Sequence, residues 1–204
     1  MRTFAGLLLL FASAVPAGAQ AVGPVHAVPV SYGSLNQNDL ALRVQNDDLE
    51  IRFIPLDPKV TRLLANDAFQ SLRSLVETKR RTIDSVASRA GVSVPGLALV
   101  SFFGLRPDTR FDPQTLTLLI RNRVFRPLGV IPISGKFTTQ QLNAREGASA
   151  IYLFEEDIPV NDSFTLSYGE LVSDDWQSKQ QLLDRERARV SARARSEQAD
   201  TTRR

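Results

Sequence analysis

Leu97-Ala98-Leu99-Val100-Ser101-Phe102-Phe103-Gly104-Leu105 is a nearly continuous apolar run, interrupted only by Ser101 and Gly104. Its length and aromatic content mark a strand, and the lack of a polar alternation predicts burial on both faces. Arg106-Pro107-Asp108-Thr109-Arg110 closes it as a turn. Downstream the pattern stays β. Thr115 to Arg121 alternates, with Leu116, Leu118 and Ile120 on one side. Pro127, Gly129, Pro132 and Gly135 punctuate the next apolar residues, which suits edges and bends rather than central strands. Ala148–Phe154 and Phe164–Leu171 read as two further strands, joined by a loop with the turn signal Asn161-Asp162. Strands spaced by such turns predict a β-sandwich.

Upstream, Asp39–Gln45 and Leu49–Phe53 alternate around Asn46-Asp47, which reads as a hairpin with one buried face. A long helix is expected between that hairpin and the apolar strand, over about 58–90. Asp57 can cap its start, Pro58 fits its first position and Gly91 fits a left-handed cap at its end. Val60, Leu63, Leu64, Ala68, Leu72, Leu75, Val76, Ile83, Val86 and Ala87 form a 3.6-residue stripe. A span of about 48 Å at 1.5 Å per residue leaves room for a break near Asn66-Asp67. The stripe needs a partner: its own sheet, another chain, or an anionic membrane beside Lys79-Arg80-Arg81. Glu77 and Asp84 flank that triplet, so packing on the domain's own core is the simplest expectation. After Asp174-Asp175 a second helix is predicted, with a thin stripe of Trp176, Gln180, Leu183 and Val190. It is otherwise polar and arginine-rich, and it is expected to fray after about residue 195.

Gly147-Ala-Ser-Ala-Ile-Tyr-Leu-Phe154, followed by Asp157-Ile-Pro-Val160 and Phe164-Thr-Leu-Ser-Tyr168, resembles the closing strands of bacterial extracytoplasmic immunoglobulin-like sandwiches. Phe111-Asp-Pro-Gln-Thr-Leu-Thr-Leu118 is similar to a strand that opens one. The resemblance spans residues 111–170 and omits the long helix and the tail. It implies a binding, scaffolding or accessory role and brings no catalytic residues with it. The resulting expectation is an α+β chain: an antiparallel immunoglobulin-like β-sandwich over 38–172, a long inserted helix at about 58–90, and a polar C-terminal helix over 173–204.

Met1 to Thr3 starts positive, Phe4–Val15 is apolar, and Pro16 with Ala17-Gly18-Ala19 supplies small residues. This layout predicts a signal peptide over 1–19, cleaved after Ala19, and hence a secreted or periplasmic protein. Residues 20–37 read as a flexible lead-in.

The 204 residues include no cysteine and one histidine, so disulfides, thiol chemistry and most zinc sites are out. A Ser-His-Asp triad would have to use His26, in the lead-in. Gly91-Val-Ser93-Val-Pro95 has proline where a nucleophile elbow wants glycine. Phosphate-loop and dinucleotide patterns are absent, and no cofactor is expected. Glu155-Glu156-Asp157 with Asp162 lacks the spacing of a calcium loop and reads as a solvated acidic bend. A hydrolase with spatially paired carboxylates, Glu155 and Asp157 among them, stays open as an alternative.

The formal charge of +3 is too small to direct the chain to nucleic acid. Of 25 basic residues only four are lysines, a bias that codon usage in a G+C-rich genome also produces. The candidate partner-binding residues are Arg185, Arg187, Arg189, Arg193 and Arg195. They have no interleaved aromatic residues, which disfavours single-stranded nucleic acid. The expected role is a non-enzymatic envelope domain that meets a protein partner or its own copy through the 58–90 helix or the C-terminal helix. The alternative for the arginines is an anionic polymer or a peripheral membrane contact.

Overall fold

The computed structural model describes Pro29 and residues 32–202. The chain is α+β with antiparallel sheets and a C-terminal helix. Its first elements are the four-residue helix α1 (Gln37–Leu40), then β1 (Leu42–Gln45) and β2 (Leu49–Pro55). The Asn36 side chain accepts from the amides of Asn38 and Asp39, while Asp39 accepts from the Asn36 amide, closing a capping box. This cap takes Asp39–Ala41 out of the hairpin that alternation predicts. The remaining pairing holds, with Val44 opposite Ile51 and the turn at Asn46-Asp47. Asn46 Oδ1 accepts from the amides of Asp48 and Leu49.

The helix expected over about 58–90 is two, broken just before Asn66-Asp67, where its length left room for a break. α2 (Pro58–Thr61) is capped by Asp57, whose carboxylate accepts the Lys59 amide at 2.7 Å. α3 (Asn66–Arg89) follows a break at 62–65. The break has a tertiary cause: the carbonyls of Arg62 and Leu63 accept from the amides of Gly33 and Leu35, and the Ala65 amide donates to the Leu35 carbonyl. A helix cannot continue where its backbone is bonded sideways. Gly91 ends α3 in the left-handed region at φ +72°, as expected of a terminal cap.

β3 (Gly96–Gly104) contains the apolar run up to Gly104, leaves Leu105 exposed beyond its end, and sits in the middle of a five-stranded sheet. The remaining strands are β4 (Thr109–Arg110), β5 (Leu116–Ile120), β6 (Arg123–Phe125), β7 (Gly129–Pro132), β8 (Gln141–Leu142), β9 (Gly147–Phe154), β10 (Thr165–Tyr168) and β11 (Leu171–Ser173). The sheet orders are β1-β2-β3-β9-β7, β11-β10-β5-β6 and the short pair β4-β8. Proline-punctuated β7 lies at an edge.

Two hairpins lie where one strand or none is expected. Arg121 and Asn122, both at positive φ, turn β5 into β6. Gly169 at φ +58° splits the predicted strand 164–171 into β10 and β11.

β3 is buried on one face and half-buried on the other, so the expectation of full burial on both faces is corrected. Its buried face carries Ala98, Val100 and Phe102, in register with Tyr152, Ala150 and Ala148 of β9. That face meets the four-stranded sheet. Phe53 contacts Phe164 at 6.1 Å between ring centres, Phe102 contacts Tyr168 at 5.9 Å, and the Tyr152 hydroxyl donates to the Pro113 carbonyl at 3.0 Å. The other face holds buried Ile131, Ile151 and Leu153, with α3 against it: Val86 lies directly over Gly129. The stripe of α3 therefore covers its own sheet.

α4 (Trp176–Thr202) runs past residue 195, where fraying was expected. It is also docked along its first half rather than free in solvent, with Trp176, Leu183 and Val190 buried. The predicted signal peptide and the larger part of the 20–37 lead-in lie outside the described residues. Residues 32–36, expected to be loose, are instead held as a strap.

Candidate functional site

The anchors of α4 follow a seven-residue spacing. Trp176, Leu183 and Val190 are buried at two-turn intervals on one side. The Trp176 ring lies 5.0 Å from that of Phe164, and its Nε1 donates to the Val160 carbonyl at 3.2 Å. Lys179 reaches across to the carbonyls of Asn38 and Asp39 at the end of α1. Burial lowers the Lys179 pKa, against the opposing pull of Asp39 and Asp175.

Glu186 sits on the same side and is only 1% exposed. Its Oε1 accepts from the Ser34 amide at 2.7 Å and from the Ser34 hydroxyl at 2.9 Å. Its Oε2 accepts from Arg189 at 3.3 Å. A buried carboxylate needs such partners, because an unpaired charge out of water is strongly destabilising. Ser34 belongs to the strap Tyr32–Asn36, which lies between α4 and the α2–α3 corner. Gly33 has no room for a side chain: a Cβ there would stand 2.0 Å from the Leu63 carbonyl oxygen. Tyr32 packs on Phe69 with the Arg62 guanidinium over both rings.

The five candidate arginines separate. Arg187 turns inward, donating to Asn161 and paired with Asp184, with its side chain 14% exposed. Arg185, Arg189 and Arg193 stand four residues apart and form one ridge, each about 6 Å along the axis from the next. Arg185 uses Nε on the Gln181 carbonyl, and Arg193 donates to the Tyr32 carbonyl at 3.3 Å. Arg189 is 72% exposed despite its bond to Glu186. Arg195 lies about 120° around the helix from Arg189 and donates to the Ser191 carbonyl, so it leaves the ridge. Of the described acids beside the ridge, Asp184 is engaged by Arg187 and Glu186 by the strap and Arg189. The ridge is thus a net positive strip.

The acidic bend lies elsewhere. Glu156, Asp157 and Asp162 line a hollow of about 310 Å³ with Lys59, Arg121 and Arg123. Each acid has a cation beside it: Arg123 at 3.4 Å from Glu156, Lys59 at 4.0 Å from Asp157, and Arg121 on Asp162. Glu155 is exposed and outside this hollow, so Glu155 and Asp157 are not brought together there. Among the described residues no group of three or more His, Asp or Glu side chains is placed to hold a metal ion. His26 lies outside the described residues.

A larger groove of about 650 Å³ runs beside α3, floored by Phe69, Leu72, Val76, Ile83 and Leu97. Arg73, Glu77, Arg80 and Asp84 alternate in sign along its rim. Within the basic triplet, Arg80 pairs with Glu77 at 3.1 Å. Ser93 lines the same groove, two residues beyond the α3 cap. No helix among the described residues is long and apolar enough to cross a membrane.

Sequence reasoning found the arginines but missed Ser34 and Glu186. Glu186 reads as one acid interleaved in a basic run. Its one local signal is its position three residues after Leu183 and four before Val190, inside the buried arc. Comparison with family models, curated proteins and solved structures found no match to this chain.

Proposed function

We propose that this chain is an exported, non-enzymatic docking domain of the cell envelope. In this reading residues 1–19 direct export. The two facing sheets serve as an immunoglobulin-like sandwich, and α3 is an insertion that seals one side of it. The working surface is the ridge Arg185–Arg189–Arg193. Its partner is a protein presenting an acidic helix, since carboxylates at i, i+4 and i+8 repeat at the same ~6 Å interval as the guanidiniums.

The observation that supports this reading is the division of labour on α4. Its apolar anchors and Glu186 face inward, while Arg185, Arg189 and Arg193 stand exposed along one side. Exposed ion pairs contribute about 0.2–1 kcal/mol each, so three in register are worth roughly 0.6–3 kcal/mol, or about 3- to 150-fold in affinity. The test uses a labelled helical peptide with glutamates at i, i+4 and i+8, and a second peptide of equal charge with that spacing broken. The wild-type chain should prefer the first, lose that preference as salt rises, and lose it on R185A/R189A/R193A. Equal binding by the triple variant would refute the docking role. Stronger binding to anionic vesicles than to either peptide would favour a membrane surface instead.

A further inference from the structure

We infer that the N-terminal strap regulates this ridge: occupancy of the ridge by an acidic partner and docking of residues 32–36 oppose each other. The inference rests on the docking role proposed above. Two of the three ridge arginines already bond to the strap or to the residue that holds it. Arg193 donates to the Tyr32 carbonyl, and Arg189 donates to Glu186, the carboxylate that grips Ser34. Guanidinium has five donors, so each arginine can still reach outward. The obstacle is charge. Glu186 is buried, so its field is poorly screened, and a partner carboxylate on Arg189 comes close to it across a single side chain. Releasing the strap opens one side of Glu186 to water, weakens that repulsion and frees Arg193.

The strap is seated on the α2–α3 corner by a short, contiguous set of contacts. Its backbone bonds to the α2–α3 corner are three: Gly33 to Arg62, Leu35 to Leu63, and Ala65 to Leu35. Its approach requires glycine at 33, where an added Cβ would overlap the Leu63 carbonyl. Coupling between two sites is reciprocal in binding free energy. If the partner loosens the strap, loosening the strap must tighten the partner.

The experiment measures affinity for the i, i+4, i+8 glutamate peptide and amide exchange at Gly33 and Leu35. Gly33→Ala displaces the strap. Glu186→Gln keeps the shape and the Ser34 amide bond while removing the charge, and serves as the second variant should Gly33→Ala disturb folding. Both should bind the peptide more tightly, by about five-fold. In the wild-type chain the peptide should speed exchange at Gly33 and Leu35. Without any peptide, R189A/R193A should also speed it, because the strap loses both arginine-dependent supports. Unchanged affinity in both Gly33→Ala and Glu186→Gln, with binding still lost in R185A/R189A/R193A, overturns the latch and leaves docking intact. Slower exchange with peptide overturns it as well. If the wild-type chain binds no peptide, the docking reading fails. Exchange in R189A/R193A then decides alone whether ridge and strap are coupled, and unchanged exchange rejects the coupling.

Discussion

Trp176→Ala tests whether α4 is clamped as the structure has it. Trp176 is the chain's one tryptophan and has no exposed surface. It makes two separable contributions: ring packing on Phe164, and the Nε1 bond to the Val160 carbonyl. Truncating a buried aromatic side chain to alanine costs about 3–5 kcal/mol. Phenylalanine retains much of the ring contact but leaves the Val160 carbonyl without that donor, which costs about 1–3 kcal/mol. Against a typical stability of about 5–15 kcal/mol, the alanine variant should fold, but with far less margin.

The assay is urea unfolding followed by circular dichroism, with amide exchange read separately for α4 and for β3. Native fluorescence supplies a control, since a fully buried indole emits at shorter wavelength than a solvated one. Trp176 is the first of three anchors, so its loss should release the amides of residues 176–190 while β3 stays protected. Three results would refute the reasoning. One is an alanine variant within about 1 kcal/mol of wild type. Another is α4 exchange unchanged by the substitution. The third is solvent-like tryptophan emission from the native chain.

Three other perturbations probe the rest of the fold. Gly129→Ala would place a Cβ 2.4 Å from Val86 Cγ1, so it should cost about 1–3 kcal/mol in thermal or urea melts. Adding Val86→Ala should recover part of that, and strictly additive losses would mean α3 does not press on β7. Tyr152→Phe removes the bond to the Pro113 carbonyl and should cost about 1–3 kcal/mol by denaturation, with no effect on peptide binding at the ridge. The Asn143 amide and the Lys136 ammonium hold Glu146 below its ordinary value of 4.5. The unfolded chain therefore binds the proton first on acidification. The stability from Glu146 is present above pH 4.5 and is lost as pH falls through the lower folded pKa. Glu146→Gln should flatten that acid limb in urea midpoints measured from pH 6 to pH 2, and an unaltered limb would contradict the assignment.

What sequence could show depended on how local the cause was. The Asp57 cap, the Gly91 cap and the Asn46-Asp47 turn all act within a few residues, and each is read correctly. The break in the 58–90 helix is not local. Leu63 and Leu64 continue the helical stripe, but a strap about 30 residues earlier takes the backbone bonds at 62–65. The apolar run at 97–105 was ambiguous for a different reason. Its second face is half covered, with Arg52 over Phe103 and Ser101 bonded to Ser149, so no strongly polar residue marks the alternation. The β5–β6 hairpin was hidden because Arg121-Asn122 takes up two positive φ angles without the glycine that flags such turns. The arginine cluster was legible in composition only. Which arginines share a face depends on how α4 is rotated.

That rotation is the part of the candidate site least available to pattern reading. Residues seven apart drift about 20° around a straight helix, so Trp176, Leu183 and Val190 define a narrow line rather than a broad face. A narrow apolar line on a polar helix resists rolling weakly, since a modest turn exposes little. A hydrogen-bonded charge resists it strongly: rolling α4 would pull Glu186 from the Ser34 amide and hydroxyl at 2.7 and 2.9 Å while its carboxylate was still shielded from water. The apolar anchors thus hold the helix down, Glu186 resists rolling while the strap is docked, and the Arg187 bond to Asn161 restrains the angle independently of the strap. With that angle set, Arg185, Arg189 and Arg193 must point out. The carboxylate that helps to orient the ridge is also the one an acidic partner would have to approach, so a single buried acid contributes to both the orientation and the restraint of the surface.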